Sequence, residues 1–478
     1  PAFISMFMMK ESKRKKEKIL RRPETKRTLP AERFLSLGFA GVILAGAFLL
    51  CLPVSSADHK ATNFIDALFT ATTSVCVTGL VTVPTAEHWS LFGKVIILLL
   101  IQFGGLGIMA CMMMVYLIFH RRVSLYNRKL IQDTYNLPAL GGAVGIVRRI
   151  LLGTFFVEGV GAFFYSLYFI PEYGVLKGIW YSVFHAVSAF CNAGIDIVGT
   201  SSFAPFLTNP LINLTTMGLI IVSGLGFPVW WETISYIRTS VRKKKHPEII
   251  RKRFSLHARI VLTVTVFLVL GGALMILILD WNHATSLGPL DAPHKVMAAF
   301  FQSVTTRTAG FETIPQKGFS DASAMVSMIL MFIGGSPMGT AGGVKTTTVA
   351  VILLMIWAYI QGREDTEACG RKLSLGNLRV AVVVFFYGLG IVILATMGLT
   401  VITGADSLDC MYEIISAMGT VGLTRSLTPS LPAAGKILVI LIMFMGRIGP
   451  VTLAVALGRR YFKRKTHRTL PEQRVLIG

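Results

Sequence analysis

Apolar residues dominate stretches of about twenty positions near 34–54, 91–119, 150–171, 210–237, 257–280, 322–360, 377–403 and 434–458. A helix needs about twenty such residues to cross a bilayer core, so the pattern predicts eight transmembrane helices. Shorter, semi-polar segments near 62–76, 175–191, 292–306 and 407–419 lie between alternate pairs. They are too short and too polar to cross. Backbone of that kind is tolerated at membrane depth only where protein covers it or it lines water, so each segment is expected to enter and turn back.

The four short segments repeat. Phe69-TATTSVCVT-Gly79, Phe184-HAVSAFCNA-Gly194, Phe300-FQSVTTRTA-Gly310 and Tyr412-EIISAMGTV-Gly422 each place an aromatic residue ten positions before a glycine. Leu, Ile or Phe follows every glycine, and the glycines are spaced 115, 116 and 112 residues apart. A fixed period of this kind marks a repeated structural unit, here span, half-crossing segment, span. The predicted fold is an all-α polytopic membrane protein, with four such repeats around one pseudo-fourfold pore. The pore repeats cover 34–119, 145–240, 257–360 and 377–460, flanked by a basic N-terminus (1–33) and a basic tail (461–478). Glycines in such loops suit a ring of backbone carbonyls that replaces the water around a dehydrated K+, because glycine permits positive φ and close approach. The short helices aim their negative C-terminal ends at a cation. Thr72, Thr73, Ser188, Thr305, Thr306 and Ser416, just before the glycines, are placed to brace the loops.

Composition sharpens this picture. Residues are 53% hydrophobic and only 15% charged, against about 25% charged in a typical soluble domain; a soluble or disordered chain is excluded. The formal charge of +23 suggests nucleic acid on a soluble protein. Here, however, 37 of the 47 Lys and Arg residues fall in 1–33, 120–149, 238–259, 361–379 and 459–478. Every second connection is basic, so these connections and both termini are expected in the cytoplasm; contact with anionic lipid headgroups has the same signature. The six cysteines show no paired spacing that would make a disulfide framework or zinc site, and the N-terminus does not read as a secretory signal.

The second span of each unit carries small residues at a matching place: Gly104-Gly-Leu-Gly107, Ser223-Gly-Leu-Gly226, Gly334-Gly-Ser-Pro337 and Gly446-Arg-Ile-Gly449. Tight helix packing is one reason for such residues. The third copy is expected to be broken, since 321–360 is twice the length of one crossing. Its middle holds Gly334, Gly335, Ser336, Pro337, Gly339, Thr340, Gly342 and Gly343, and Pro interrupts a helical ladder. This stretch reads as a loop across the pore, a gate. Lys345 does not complete the G-x-x-x-x-G-K-S/T phosphate loop. Arg447 is the one charge between Lys436 and Arg459. Mid-span arginine costs about 3 kcal/mol on insertion scales, so it either forms a cation barrier beneath the glycines or pairs with a buried acid such as Glu158. Asp196 and Glu312 follow their glycines by two residues and either draw cations to an outer mouth or brace the loops. Arg307 is expected to pair with a nearby carboxylate.

The four glycine loops, the broken third unit and Gly446-Arg-Ile-Gly-Pro450 resemble the Trk/Ktr/HKT superfamily of potassium transporters, over residues 34–460. The first span follows directly on the basic stretch, which is similar to the eight-crossing KtrB type rather than the longer TrkH type. The resemblance implies a K+-translocating subunit, often Na+-dependent, in a bacterial cell membrane. It implies a homodimer and a cytoplasmic nucleotide-binding RCK-type partner (KtrA or TrkA). By motif, the filter would be Val77-Thr78-Gly79, Asn192-Ala193-Gly194, Thr308-Ala309-Gly310 and Thr420-Val421-Gly422, the gate loop Gly334–Gly343, and Arg447 the pore arginine. Glycine at 79 matches the K+-selective pattern; Na+-preferring plant relatives carry serine there.

Two other classes were weighed. A secondary transporter of an organic solute commonly has inverted or twofold repeats and paired broken helices; four like-oriented units with one broken span favour a pore. An intramembrane enzyme needs a nucleophile with its base or a metal cluster. Neither H-E-x-x-H nor G-x-S-x-G occurs, and His185 reads as a packed polar residue.

Overall fold

A computed structural model describes residues 31–119, 123–134, 142–243 and 254–449. The N-terminal basic stretch up to residue 30, the tail from 450, and residues 120–122, 135–141 and 244–253 of the basic connections lie outside the described residues. Four long helices, Ala31–Cys51, Ala143–Tyr173, Leu256–Asp280 and Leu375–Thr403, open the four units, and each is long and apolar enough to cross a membrane. Their outward positions expose large apolar side chains such as Phe48, Phe156, Phe267 and Leu394, while Leu50, Tyr165, Ile276 and Leu399 are buried inward. A helix that is apolar on both faces fits a setting where one face meets protein and the other meets lipid.

Short helices follow at Phe64–Cys76, Val175–Cys191, Ala292–Thr305 and Ser407–Gly419. Of the repeat's aromatic residues, Phe69, Phe184 and Tyr412 are fully buried, whereas Phe300 is half-buried and its neighbour Phe301 is the fully buried ring. Their hydroxyls remain satisfied by bonding back one turn, as in Thr70 to Asp66 O (2.9 Å), Ser74 to Thr70 O (2.6 Å) and Ser182 to Gly178 O (2.6 Å). This lets polar residues sit in a dry interior. Each short helix packs between the second helix of its own unit and that of the preceding unit, and the second helix of the fourth unit packs on the first short helix. The four units therefore close into a ring.

The second helices depart from the sequence reading. A single break, in the third unit, is expected. That break is present: Asp321–Phe332 and Thr346–Ile360 flank a non-helical stretch. The first two copies are broken as well. Leu91–Leu106 turns into Ile108–Ile118 through 106°, and Pro210–Gly224 turns into Phe227–Lys243 through 102°. The cause is Gly107 (φ +80°) and Gly226 (φ +86°), whose left-handed backbone stops the ladder at little cost only in glycine. In the fourth copy, Ala433–Ile448 ends at Gly449 with φ +89°. Among the described residues the all-helical expectation has one minor exception, a two-stranded hairpin of Glu367–Ala368 and Arg371–Lys372 in the basic connection between units three and four.

Candidate functional site

The ring brings the four glycines together. A Cβ built on Gly79 would lie 2.7 Å from Ala193 O and 3.3 Å from both Gly194 Cα and Gly422 Cα. One on Gly194 would lie 2.7 Å from Gly310 Cα, and one on Gly310 would lie 2.5 Å from Val421 O. No side chain fits any of these positions. Two residues upstream, Val77, Asn192, Thr308 and Thr420 all adopt left-handed backbone, with φ of 56°, 61°, 72° and 51°. This is unfavourable for any L-residue and a genuine outlier for β-branched Val and Thr. Four repetitions of the same strain at one place mark a site whose geometry the surrounding packing imposes. The intervening residues are tied to the helix that precedes them: Thr78 N to Thr73 O, Ala193 N to Ser188 O, Ala309 N to Thr305 O and Val421 N to Ser416 O, at 2.8–2.9 Å.

Side chains brace the loops from behind. Thr73 Oγ1 accepts from Gly79 N (2.9 Å), and Ser416 Oγ accepts from Gly422 N (3.0 Å). Ser188 and Thr305 instead donate to Ile195 O and Phe311 O, both 2.6 Å. Thr72 and Thr306 do not reach the loops; they bond Leu68 O and Ser303 O within their own helices. The hydroxyls of Thr78, Thr308 and Thr420 are buried and have no hydrogen-bond partner among the described residues. Unsatisfied buried oxygens are rare, and here they lie in the triplets that end at the glycines. His185 is a packed residue: its Nδ1 meets Tyr181 O at 2.7 Å, its Nε2 accepts from Ile197 N, and Phe169 and Phe203 flank its ring.

Beyond the glycines the loops open into a mouth cavity of about 90 Å³, lined by Gly79, Gly194, Gly310 and Gly422 together with Asp196 and Glu312. Arg307 does not line this cavity. It is buried, its Nε has no partner, and it makes no ion pair among the described residues. The expected pairing with a carboxylate does not occur: Asp196 and Glu312 line the mouth cavity, and Arg307 does not. The arginine that does tie acids is Arg425, which holds Asp409 (2.7 Å) and Asp321 (3.1 Å) and so links units three and four.

On the other side of the ring, the 333–345 stretch forms a closed loop. Gly334 N bonds Val344 O (2.9 Å), Thr346 N bonds Gly335 O (3.1 Å), and the hydroxyls of Ser336 and Thr346 meet at 3.1 Å. Between these ties run Pro337, Gly339, Thr340, Gly342 and Gly343, of which Thr340, Gly342 and Gly343 are buried. The loop docks on the broken helix of unit two through Ser336 N to Gly224 O (3.0 Å) and Phe227 N to Met338 O (3.2 Å). Gly342 lies directly against the Thr420 side chain, and a Cβ on Gly343 would lie 3.2 Å from Gly419 Cα. Lys345 folds back to bond Ala341 O (2.7 Å).

Thr340 is the hub of this layer. Its Oγ1 accepts from Asn192 Nδ2 (3.2 Å) and donates to Phe190 O (3.3 Å), and its carbonyl accepts from Arg447 Nη1. Asn192 Oδ1 accepts from Ser223 Oγ at 3.1 Å. Arg447 Nη2 donates to Gly104 O. The arginine thus bonds backbone carbonyls of units three and one, and of its two readings the pair with Glu158 is not formed. Glu158 is buried and accepts instead from Gln102 Nε2 at 3.1 Å. Broken helices expose carbonyls that have no intrahelical donor, and a guanidinium, with donors only, suits them better than it suits a distant acid. Of the small residues in the second helices, Gly104 and Gly446 lie against Val75 O and Met418 O of the short helices, so close packing is part of their role.

Sequence reasoning missed two features. Glu413 on the fourth short helix is fully buried and accepts from Thr424 Oγ1 (2.6 Å) and Thr428 Oγ1 (2.5 Å), holding the chain just past Gly422. Gln302 and Gln316 pair at 2.6 Å, and Tyr412 OH joins them at 2.8 Å, across units three and four. A carboxylate inside the apolar half of its short helix is the available signal for Glu413; the glutamine pair has none.

A ring of four glycine loops held by short buried helices, with a helix break under three of them, defines a membrane transport protein. Residues 36–461 match the TrkH family, described as cation transport proteins, and the chain belongs to that family. It is 38% identical to the potassium/sodium uptake protein NtpJ of Enterococcus hirae, over 96% of this chain and all of that one. It is 37% identical to the Ktr system potassium uptake protein B of Bacillus subtilis, over 89% and 92% of the two chains. Its fold is similar to that of the potassium transporter TrkH from Vibrio parahaemolyticus, with a TM-score of 0.71 at 17% identity, over 93% of this chain and 88% of that one.

Proposed function

We propose that this chain is the K+-translocating subunit of a Ktr/Trk-type uptake system, with Na+ as a second ion. The observation that carries the reading is the ring: four glycines in mutual contact, each two residues after a left-handed residue. Such backbone turns carbonyls toward a common centre, where they replace the hydration shell of K+. The filter is then Val77-Thr78-Gly79, Asn192-Ala193-Gly194, Thr308-Ala309-Gly310 and Thr420-Val421-Gly422. Asn192 differs from its counterparts, since its side chain is engaged with Thr340 and Ser223; it serves the loop below. The gate is the Gly334–Gly343 loop held by Arg447, whose charge sets a barrier to cations.

The distribution of Lys and Arg supports a multi-pass protein of the bacterial cell membrane with both termini in the cytoplasm. The names of the Ktr relatives support a multi-component system, and the reading assigns this chain a homodimeric assembly and a cytoplasmic nucleotide-binding RCK-type subunit. The test is K+ uptake by cells lacking their own K+ importers, expressing this chain at low external K+ with and without Na+. Growth rescue that is lost with Gly79→Asp is the expected outcome. No rescue, with the protein in the membrane and an RCK-type subunit co-expressed, overturns the reading.

A further inference from the structure

The mouth breaks the fourfold pattern. The residues two positions beyond the ring glycines are Val81, Asp196, Glu312 and Thr424, and all four line the same cavity of about 90 Å³. Only units two and three place an acid there, and these units are neighbours in the ring, since Gly194 lies against Gly310. The carboxylates therefore form a lopsided pair rather than a ring about the axis.

Each carboxylate has polar neighbours on one side: Asp196 faces the backbone N–H groups of Val198 and Gly199 and the Ser202 hydroxyl, and Glu312 faces Gln316. Ser202 Oγ also accepts from Glu312 N (3.3 Å), and Phe203 N bonds Glu312 O (2.9 Å), so the two acidic loops are stitched into one unit. The second oxygens, Asp196 Oδ1 and Glu312 Oε2, are shut off from solvent without any hydrogen-bond partner. Neither acid makes an ion pair among the described residues, and no Lys, Arg or His lines the cavity. Two uncompensated carboxylates in one enclosed space are costly unless a cation joins them.

We propose that this mouth is a binding site for a divalent cation, Ca2+, which competes there with K+ entry. A passing K+ neutralises one of the two negative charges; a divalent ion neutralises both. The donor set is all oxygen: two carboxylates, the hydroxyls of Thr85 and Thr200, and the carbonyls of the loops; the Thr424 hydroxyl is already committed to Glu413. Hard oxygen donors in an irregular arrangement suit Ca2+, which takes about six to eight ligands flexibly, better than Mg2+, which demands a near-ideal octahedron. One water needs roughly 10–15 Å³ of such space, so the cavity holds an ion with part of its water shell. Binding of Ca2+ follows from the two acids alone; competition with K+ rests on the pore reading above.

The full-length chain is used, purified and also reconstituted in liposomes. Calorimetric titration with Ca2+ alone is expected to show one ion per chain, weakened about tenfold or more by either isosteric change, Asp196→Asn or Glu312→Gln, and tightened by Val81→Asp, because each alters the carboxylate count. Mg2+ is expected to bind more weakly. Absence of Ca2+ binding at millimolar concentration, or equal binding by the wild type and both isosteric variants, overturns the site. In liposomes, radioactive rubidium uptake is expected to fall as external Ca2+ rises and to recover as external K+ is raised. Uptake indifferent to Ca2+ that binds overturns the competition. Calcium binding with no rubidium uptake under any condition leaves the site standing and overturns the pore reading instead.

Discussion

In the glycine ring, Val77, Asn192, Thr308 and Thr420 share φ between 51° and 72°, and the glycine two residues on has positive φ in every unit. In the layer beneath, the four second helices stop at matching positions in different ways. Two turn through about a right angle at Gly107 and Gly226, one opens into a thirteen-residue loop around Pro337, and one carries Arg447 before Gly449. Both layers descend from the same repeat. A ring of ligands around one ion gains from four like contributions, so its backbone is held alike despite different side chains. A device that opens and closes needs one element that differs from the rest; under the proposed function the 333–345 loop is that element. Asn192 and Arg447 bond its Thr340, and Ser223 and Gly104 bond Asn192 and Arg447 in turn.

The sharpest way to break this comparison is at the ring. Gly79→Ser places a side chain 2.7 Å from Ala193 O at a backbone φ of +100°, and is expected to lower K+-over-Na+ preference by about tenfold or more. Unchanged relative uptake of the two ions sinks the filter assignment. Next is the layer below. Arg447→Gln removes the charge and weakens the bonds to Thr340 O and Gly104 O, and flux is expected to rise several-fold, with shortening of 334–343 acting in the same direction. Folded variants with unchanged or lower flux remove the gate from the account.

Asn192→Leu probes the link between the layers. It keeps the volume roughly constant but removes the bonds to Thr340 and Ser223, whose hydroxyls keep Phe190 O and Ile220 O, so a loss of about 0.5–1.5 kcal/mol per bond is expected, read as a lower Tm, together with raised flux. A variant that lowers Tm with wild-type flux limits Asn192 to bracing. The smallest effect is expected at Lys436, whose ion pair with Asp66 (2.6 Å) clips the unit-four second helix to the first short helix. Lys436→Met costs about 1 kcal/mol or less by the measure of partly exposed pairs, and selectivity stays as it was; a selectivity change there would extend the filter's support beyond its own loops.

The repeat was legible because membrane spans and glycine loops leave strong, local signals. Length and apolarity mark a crossing, and an aromatic ten residues before a glycine recurs four times. The breaks at Gly107 and Gly226 were half legible: the Gly-Leu-Gly triplets stood out, yet small residues serve close packing as well as chain reversal, and Gly104 does the former three residues before Gly107 does the latter. The surroundings of buried charges are not legible. Charge alone suggests a carboxylate for Arg307, which makes no ion pair among the described residues, and leaves Arg447 open between a cation barrier and a pair with Glu158. The structure gives Arg447 two backbone carbonyls that exist as free acceptors only because two other helices are broken.

By itself the sequence determined that this is a four-unit membrane protein, where its glycine loops fall, and which connections are basic. These depend on hydrophobic length and on φ requirements carried by single residues. The tertiary structure decided that Asn192 serves the loop below rather than the ring, that Arg447 bonds carbonyls of two other units, and that Asp196 and Glu312 share a mouth cavity with one free oxygen each. Those outcomes depend on which unit stands next to which, a relation set by ring closure over more than a hundred residues of intervening chain, with no local pattern to record it.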